Sequence, residues 1–163
     1  MLIDHIDAFV FDFDGVLTNN FVHIDQSGNE WVSCNRSDGL AFDVLRVLQK
    51  PAYILSTEKN LVVTARARKL NIPAIQGVNN KVNAILELTE SKGFNINRVL
   101  YVGNDLNDFY VMQLCGYTAC PVDSHARIKK IATNVLKRRG GDGVIRELLE
   151  DVLCLDFLEI LYS

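Results

Sequence analysis

Two aspartates, Asp12 and Asp14, stand one residue apart directly after an apolar run in "AFVFDFDGVLTNN", residues 8–20. With a single residue between them, both carboxylates leave a strand on the same side while Phe13 turns to the core. One such acid can attack phosphorus and the other can carry the leaving-group proton, so the pair suits phosphoryl transfer. A calcium-type loop or a plain strand-end turn would use the same two residues. Further polar clusters follow other apolar runs: "STEKN" from Ser56 and "GNDLND" from Gly103. Lys81, in "GVNNKVNAILEL", stands where a helix begins. A cation there opposes the helix dipole, a placement that invites an anionic partner, unless the lysine is simply solvated. Because a phosphate monoester is a dianion that repels a carboxylate nucleophile, such charge is needed. Accelerations of this reaction approach ~10²¹, more than any single residue supplies.

The elements that must position these residues are legible in the periodicity. Strand-like runs at 8–11, 52–56, 99–102 and 117–120 alternate with helical segments, which predicts βαβ units and a mainly parallel sheet. Ser37 is expected to cap a helix carrying Leu40, Val44, Leu45 and Leu48, which Pro51 stops. A second helix is expected over 59–70, and a third over 81–92 with Val82, Ile85, Leu86 and Leu88 inward and Gly93 at its end. The stretch "FVHIDQSGNEWVSC", residues 21–34, breaks this rhythm with alternating apolar residues around a polar, glycine-containing turn. It reads as a β-hairpin inserted after the first strand. The expected fold is thus α/β, a Rossmann-like doubly wound, mainly parallel sheet. It carries a hairpin at about 20–34, forms one domain over 1–163 and has no large cap domain. In such a sheet ligands bind outside the carboxyl ends of the strands, where the three polar clusters would meet.

Composition narrows the class. The 163 residues are 48% hydrophobic and 23% charged, as in an ordinary globular chain. A net charge of −3 and a pI near 5.6 provide no general basic field for nucleic acid. No apolar run approaches the ~18–20 residues needed to cross a bilayer. The N-terminal "MLIDHID" has acids where a signal peptide would carry lysines, so a cytoplasmic location is expected. The four cysteines, Cys34, Cys115, Cys120 and Cys154, lack CxxC or Cys/His spacing and read as packing thiols.

"DFDGVLTNN" resembles the first motif of the haloacid dehalogenase (HAD) superfamily, D-x-D-G-[VT]-[LF]-T. The resemblance implies that Asp12 is a nucleophile forming an aspartyl-phosphate, and that Asp14 protonates the leaving alkoxide and then activates water. Ser56 matches the hydroxyl that bonds a phosphoryl oxygen, although it could equally satisfy the start of the next helix. Lys81 matches the lysine that pairs with the nucleophile and the phosphate. "VLYVGNDLNDFYVM" is similar to the fourth motif, usually G-D-x-x-x-D or G-D-D-x-x-D, but has Asn104 where an aspartate is commonest. The implied cofactor is Mg²⁺, held by Asp12, the backbone carbonyl of Asp14 and Asn104, with Asp105 beside them and Asp108 supporting from behind. An amide oxygen still coordinates magnesium, though the site has one negative charge fewer.

The hairpin, "NRSDGL" at 35–40, "IQGVNNK" and "RRGGDGVIRELLE" at 138–150 together resemble a capless branch of that superfamily. It contains 3-deoxy-D-manno-octulosonate 8-phosphate (KDO 8-phosphate) phosphatase, KDN 9-phosphate phosphatase, and the C-terminal domains of some sialic-acid cytidylyltransferases. The resemblance implies a homotetramer whose hairpins pack against neighbours and whose C-terminal segment, 138–163, reaches an adjacent active site. Gly140, Gly141 and Gly143 would make that approach flexible, and Arg138, Arg139 and Arg146 would meet a substrate carboxylate, unless they form a basic surface flank. KDO 8-phosphate phosphatases typically read S/T-G-R in the second motif. This chain reads Ser56-Thr57-Glu58-Lys59, which is similar to the KDN 9-phosphate enzyme and places Thr57 and Glu58 beside the substrate. The resemblance therefore implies a phosphomonoesterase acting on a small sugar-acid phosphate, a nonulosonate 9-phosphate ahead of KDO 8-phosphate. A non-catalytic module assembling with a sialic-acid cytidylyltransferase is the reading of another class, and Asn104 is its support.

Overall fold

The computed structural model describes residues 2–163. The chain runs β1 (Ala8–Phe11), the hairpin β2 (His23–Ile24) and β3 (Glu30–Trp31), α1 (Ser37–Val47), β4 (Ala52–Leu55), α2 (Val62–Leu70), β5 (Ala74–Ile75) and α3 (Lys81–Lys92). It continues with β6 (Val99–Val102), α4 (Phe109–Leu114), β7 (Tyr117–Cys120), α5 (Ala126–Ile131), β8 (Asn134–Val135), α6 (Val144–Glu147) and α7 (Phe157–Tyr162). Six strands pair in the order β5-β4-β1-β6-β7-β8, all parallel, and β2-β3 stand apart as an antiparallel pair. β1, β4 and β6 are buried at every position, the condition under which a strand is a continuous apolar run.

Alternation along β1 sorts the two layers. Phe9 and Phe11 pack with Phe42, Leu45, Val63 and Ile145 of α1, α2 and α6, whereas Ala8 and Val10 pack with Ile85, Val111 and Ile128 of α3, α4 and α5. Helices therefore cover both faces, and the sheet is doubly wound. The strand order reverses between β1 and β6, which opens a crevice at their carboxyl ends. Pairing continues to its lip, where Asp12 N donates to Val102 O at 2.9 Å.

Several local expectations are corrected. Ser37 does not cap α1: it is the first helical residue, and Asn35 Oδ1 accepts from its N–H and its hydroxyl. An amide two residues upstream competes better for that role. α2 begins at Val62, three residues later than expected, because "STEKN" forms a loop tied by Glu58 and Asn60 side chains. Leu86 is 45% exposed, since it falls off the stripe set by Ile85 and Leu88. Cys154 is exposed, unlike Cys115 and Cys120. The helix after the glycine-rich segment is broken into α6, a wide turn over Leu148–Val152, and α7.

The glycines at 140 and 141 serve a close contact within the chain. Gly141 N donates to Val16 O at 2.9 Å, and a Cβ on Gly140 would lie 2.1 Å from Gly15 O. The segment is thus seated on the back of its own Asp12–Asn20 loop, where no larger residue fits. Among the described residues no helix is long and apolar enough to cross a membrane.

Asp38 supplies a buried acid that periodicity alone would place on a surface. Its Oδ1 accepts from Ile145 N at 2.9 Å and Arg146 N at 3.2 Å, anchoring α6 to α1, while Oδ2 has no partner. Burial lifts its pKa to about 6 from 3.8, against the pull of those N–H groups and of Arg66 and Arg138. A raised acid pKa means that folding takes up a proton, so the stability it contributes is present below about pH 4 and lost as pH rises through 6. The loss is on the order of 3 kcal/mol. Asp38→Asn should flatten the fall in urea stability between pH 4 and 7; parallel pH curves for the two chains would remove Asp38 from that role.

Candidate active site

Asp12 leaves β1 at the switch point, 4% exposed. Phe13 turns into the core and Phe13–Leu17 forms a wide turn, with Gly15 at φ 79°. Thr18 Oγ1 accepts from Gly15 N and Asn20 N, and Asn19 Oδ1 accepts from Phe21 N, so the loop is tied by its own polar residues. Glycine is required at 15 twice over, by its positive φ and because a Cβ would lie 1.9 Å from Asn104 Nδ2.

Lys81 enters from the start of α3, which Asn80 caps through bonds to Val82 N and Asn83 N. Its Nζ lies 2.7 Å from Asp12 Oδ1 and 2.7 Å from Asp108 Oδ1, all three side chains being buried. These two anions supply the partner that a cation at a helix start requires. Burial works to lower the Lys81 pKa, but the two carboxylates outweigh it and hold it above its ordinary value. Asp12 is pushed upward, chiefly by burial and then by Asp108, with Lys81 opposing. Asp108 is fully engaged, since Tyr101 Oη donates to Oδ1 at 2.8 Å and Asn104 N to Oδ2 at 2.9 Å. It fixes Lys81 against Asp12 from behind.

Above this triad is a cavity of about 340 Å³ lined by Asp12, Asp14, Asn20, Thr57, Asn104 and Asp105 among others. Asp14 is half-buried and its pKa is raised, first by burial and then by Glu58, with Glu30 adding to it and Lys81 opposing. Asn104 Oδ1 is buried without a hydrogen-bond partner. An orphaned oxygen beside two carboxylates is a donor set suited to a hard divalent cation. Among the described residues no three His, Cys, Asp or Glu side chains gather as a metal cluster, because the third place is held by an amide. Asp105 lies at the rim, exposed, and its Oδ1 caps the short turn Leu106–Asp108.

The chain brings Asp12, Asp14, Lys81, Asn104, Asp105, Asp108 and Thr57 together. Ser56 is buried nearby, its Oγ accepting from Glu58 N at 3.1 Å, so the hydroxyl serves the loop before α2. Glu58 lines an adjoining cavity that shares Asp14 and Asn20. The three arginines are not brought to this crevice. Arg138 donates to Asp142 O, Arg139 lies 3.4 Å from Asp123, and Arg146 pairs with Glu150 at 2.7 Å over the Phe157 ring. Arg138 and Arg146 find their acceptors within their own segment, and Arg139 finds its acceptor in the loop after β7. Tyr101 and Glu30 were not foreseen: a tyrosine inside a buried strand and a glutamate opening a two-residue strand carry no signal in one sequence.

Comparison with known proteins then fixes the family. Residues 47–148 match the haloacid dehalogenase-like hydrolase family. The chain belongs to it. A solved HAD-family structure from Streptomyces avermitilis is 43% identical, with a TM-score of 0.90 over 92% of this chain and 86% of that one. Among HAD-like hydrolases, KDO 8-phosphate phosphatase of Escherichia coli K12 is 29% identical over 92% of this chain and 80% of its own. The same-named enzyme of Moraxella catarrhalis, solved with magnesium, phosphate and KDO, is 25% identical, with a TM-score of 0.87 over 97% of this chain and 88% of that one. This chain thus shares the HAD-like fold nearly end to end with these solved structures, one of which bears the name of the Escherichia coli relative's activity.

Proposed function

We propose that the chain is a Mg²⁺-dependent phosphatase of a sugar-acid phosphate, and that KDO 8-phosphate is its substrate. The observation that carries the reading is the cavity where Asp12, Asp14 and the orphaned Asn104 oxygen converge over Lys81. The relatives' activity supports KDO 8-phosphate ahead of the nonulosonate 9-phosphate expected from the second motif. Glu58, a carboxylate near Asp14 where a basic residue was the KDO-type pattern, favours the nonulosonate as second reading.

Lys81 holds Asp12 Oδ1, which leaves Oδ2 to attack. A bond forms from Oδ2 to phosphorus as the ester oxygen departs, and Asp14, whose raised pKa favours the protonated form, gives that oxygen its proton. Asp14 then takes a proton from water, which attacks the aspartyl-phosphate and frees Asp12 and inorganic phosphate. Asp12, the Asp14 backbone carbonyl and Asn104 would hold Mg²⁺, whose charge offsets that of the phosphoryl oxygens.

Phosphate release should be measured with Mg²⁺ from KDO 8-phosphate, KDN 9-phosphate and N-acetylneuraminate 9-phosphate. Preference for the first is expected; preference for either 9-phosphate moves the assignment to the nonulosonate, and no release from any of them or from a broad ester panel removes the reading. Asn104→Asp adds a charge to the ion's ligand set and should lower the Mg²⁺ needed for half-maximal activity by about tenfold. An unchanged Mg²⁺ titration would exclude Asn104 as a ligand. A homotetramer is supported by the exposed apolar residues Phe21, Val22, Ile24 and Trp31 around the hairpin. Light scattering should read four chain masses, and a monomer mass would remove that expectation.

A further inference from the structure

Gly15 is held between two neighbours. On one side the Asn104 amide lies so close that a Cβ on Gly15 would stand 1.9 Å from its Nδ2. On the other, a Cβ on Gly140 would stand 2.1 Å from Gly15 O, and Gly141 N donates to Val16 O at 2.9 Å. The amide whose oxygen is orphaned therefore rests on the loop that carries Asp14, and that loop rests on the glycine segment. Residues 121–125, between β7 and α5, close this stack into a ring. His125 N donates to Asn104 O at 2.9 Å, Val122 N donates to Arg138 O at 3.0 Å, and Asp123 Oδ1 accepts from Gly140 N at 2.9 Å. Among these hydrogen bonds only that of Asp123 comes from a side chain. Its other oxygen lies 3.4 Å from the exposed Arg139, a pair that water screens. Gly140 is buried, so without the Asp123 carboxylate its N–H loses its partner and the segment must shift to find another.

We infer that Asp123 is a positioning residue for the divalent cation: by seating Gly140 behind Gly15 it sets the spacing between the Asp14 carbonyl and the Asn104 oxygen. The inference rests on the Mg²⁺ site proposed above. Those two oxygens come from loops after different strands, β1 and β6, and a small hard cation binds tightly only where its oxygens keep a fixed spacing. The Asn104 main chain is pinned on both sides, since Asp108 Oδ2 accepts from its N–H and His125 N donates to its carbonyl. The loop bearing Asp14 is tied within itself by Thr18 and Asn19, so what stands behind Gly15 and Val16 sets its height against Asn104. That support is the segment which Asp123 holds. Residues 121–125 thus fix both halves of the donor set, Asn104 through the His125 N–H and the Asp14 loop through the Asp123 carboxylate. A side chain that supports the groups around an ion in this way governs how well they converge on it.

The test is Mg²⁺ binding to the full chain by titration calorimetry, a readout independent of turnover. Asp123→Ala should weaken it by about tenfold. Asp123→Asn removes the charge but keeps an acceptor for Gly140 N, and should bind within about twofold of the parent. Asp123→Glu keeps the charge and displaces the acceptor by one carbon, so it should weaken binding as well, and it serves where the alanine chain does not fold. Asp7→Ala, which loses the bonds to Asn95 N and Arg98 beyond the amino end of β1, is the control for stability alone. Both alanine variants should melt lower than the parent in EDTA, but the rise in Tm that Mg²⁺ produces should shrink only for Asp123→Ala. Equal Mg²⁺ affinity in the parent and Asp123→Ala overturns the inference. So does a loss shared by Asp123→Asn and absent from Asp123→Glu, which would mean that the charge acts at a distance. A parent chain that binds no Mg²⁺ overturns the metal site itself, and the inference with it.

Discussion

Asp12→Asn is expected to abolish phosphate release while making the metal-free protein more stable. Loss of the proposed nucleophile should lower turnover by at least about 10³-fold. The stability change has the opposite sign for an electrostatic reason. Asp12, Asp108 and Lys81 are buried together with a summed charge of −1, and burial and Asp108 both disfavour the Asp12 anion. Neutralising position 12 brings the cluster to zero. Lys81 is not orphaned, because Asp108 Oδ1 stays at 2.7 Å, and an asparagine oxygen can still accept from it. The gain should be about 1–2 kcal/mol in EDTA, a rise of a few degrees in Tm for a chain of this length. Mg²⁺ should raise the Tm of the parent chain and do little for the variant, so their order narrows or reverses as the ion is added. A variant that melts lower in EDTA would show that the Asp12–Lys81 pair stabilises the fold outright.

The same balance explains why the site was legible in sequence. A carboxylate pair, a lysine and a GNDLND loop have no packing reason to stand at the ends of apolar strands, so their chemistry shows through the pattern. The central strands were equally plain, since β1, β4 and β6 are unbroken apolar runs buried on both sides. The edge strands β5 and β8 escaped notice because two residues each, Ala74–Ile75 and Asn134–Val135, are too few to show a period. What one sequence conceals is chiefly which long polar side chain finds which partner. Arg146 pairs with Glu150 four residues on, Ser37 yielded the cap to Asn35, and Asp38 went inside because the N–H groups of Ile145 and Arg146 were waiting for it. Glu30 lies 30 residues from Asn60, and only the folded hairpin brings them to 3.1 Å. The glycines of the C-terminal segment suggested reach, whereas the fold uses two of them for contact with the loop behind Asp12.

Lys81→Met provides the sharpest contrast with Asp12→Asn, because it should cost both activity and stability. Methionine keeps much of the length of the side chain, so packing changes little, but Asp12 and Asp108 are left buried without a cation. Breaking a buried ion pair from one side costs about 3–5 kcal/mol. Tyr101 and Asn104 N continue to satisfy Asp108, which leaves Asp12 as the uncompensated charge. The variant can relieve it only by holding a proton. A carboxyl whose folded pKa is raised still further contributes stability that is present at low pH and lost as pH rises through the new value, so the variant should be much closer to the parent at pH 5 than at pH 8. Urea denaturation at those two pH values reads this directly. Turnover should fall by about 10³-fold or more, since neither the proposed nucleophile nor the incoming dianion is then neutralised. A variant whose deficit in stability is the same at both pH values would mean that Asp12 does not carry the buried charge, and that Lys81 acts on the phosphate alone.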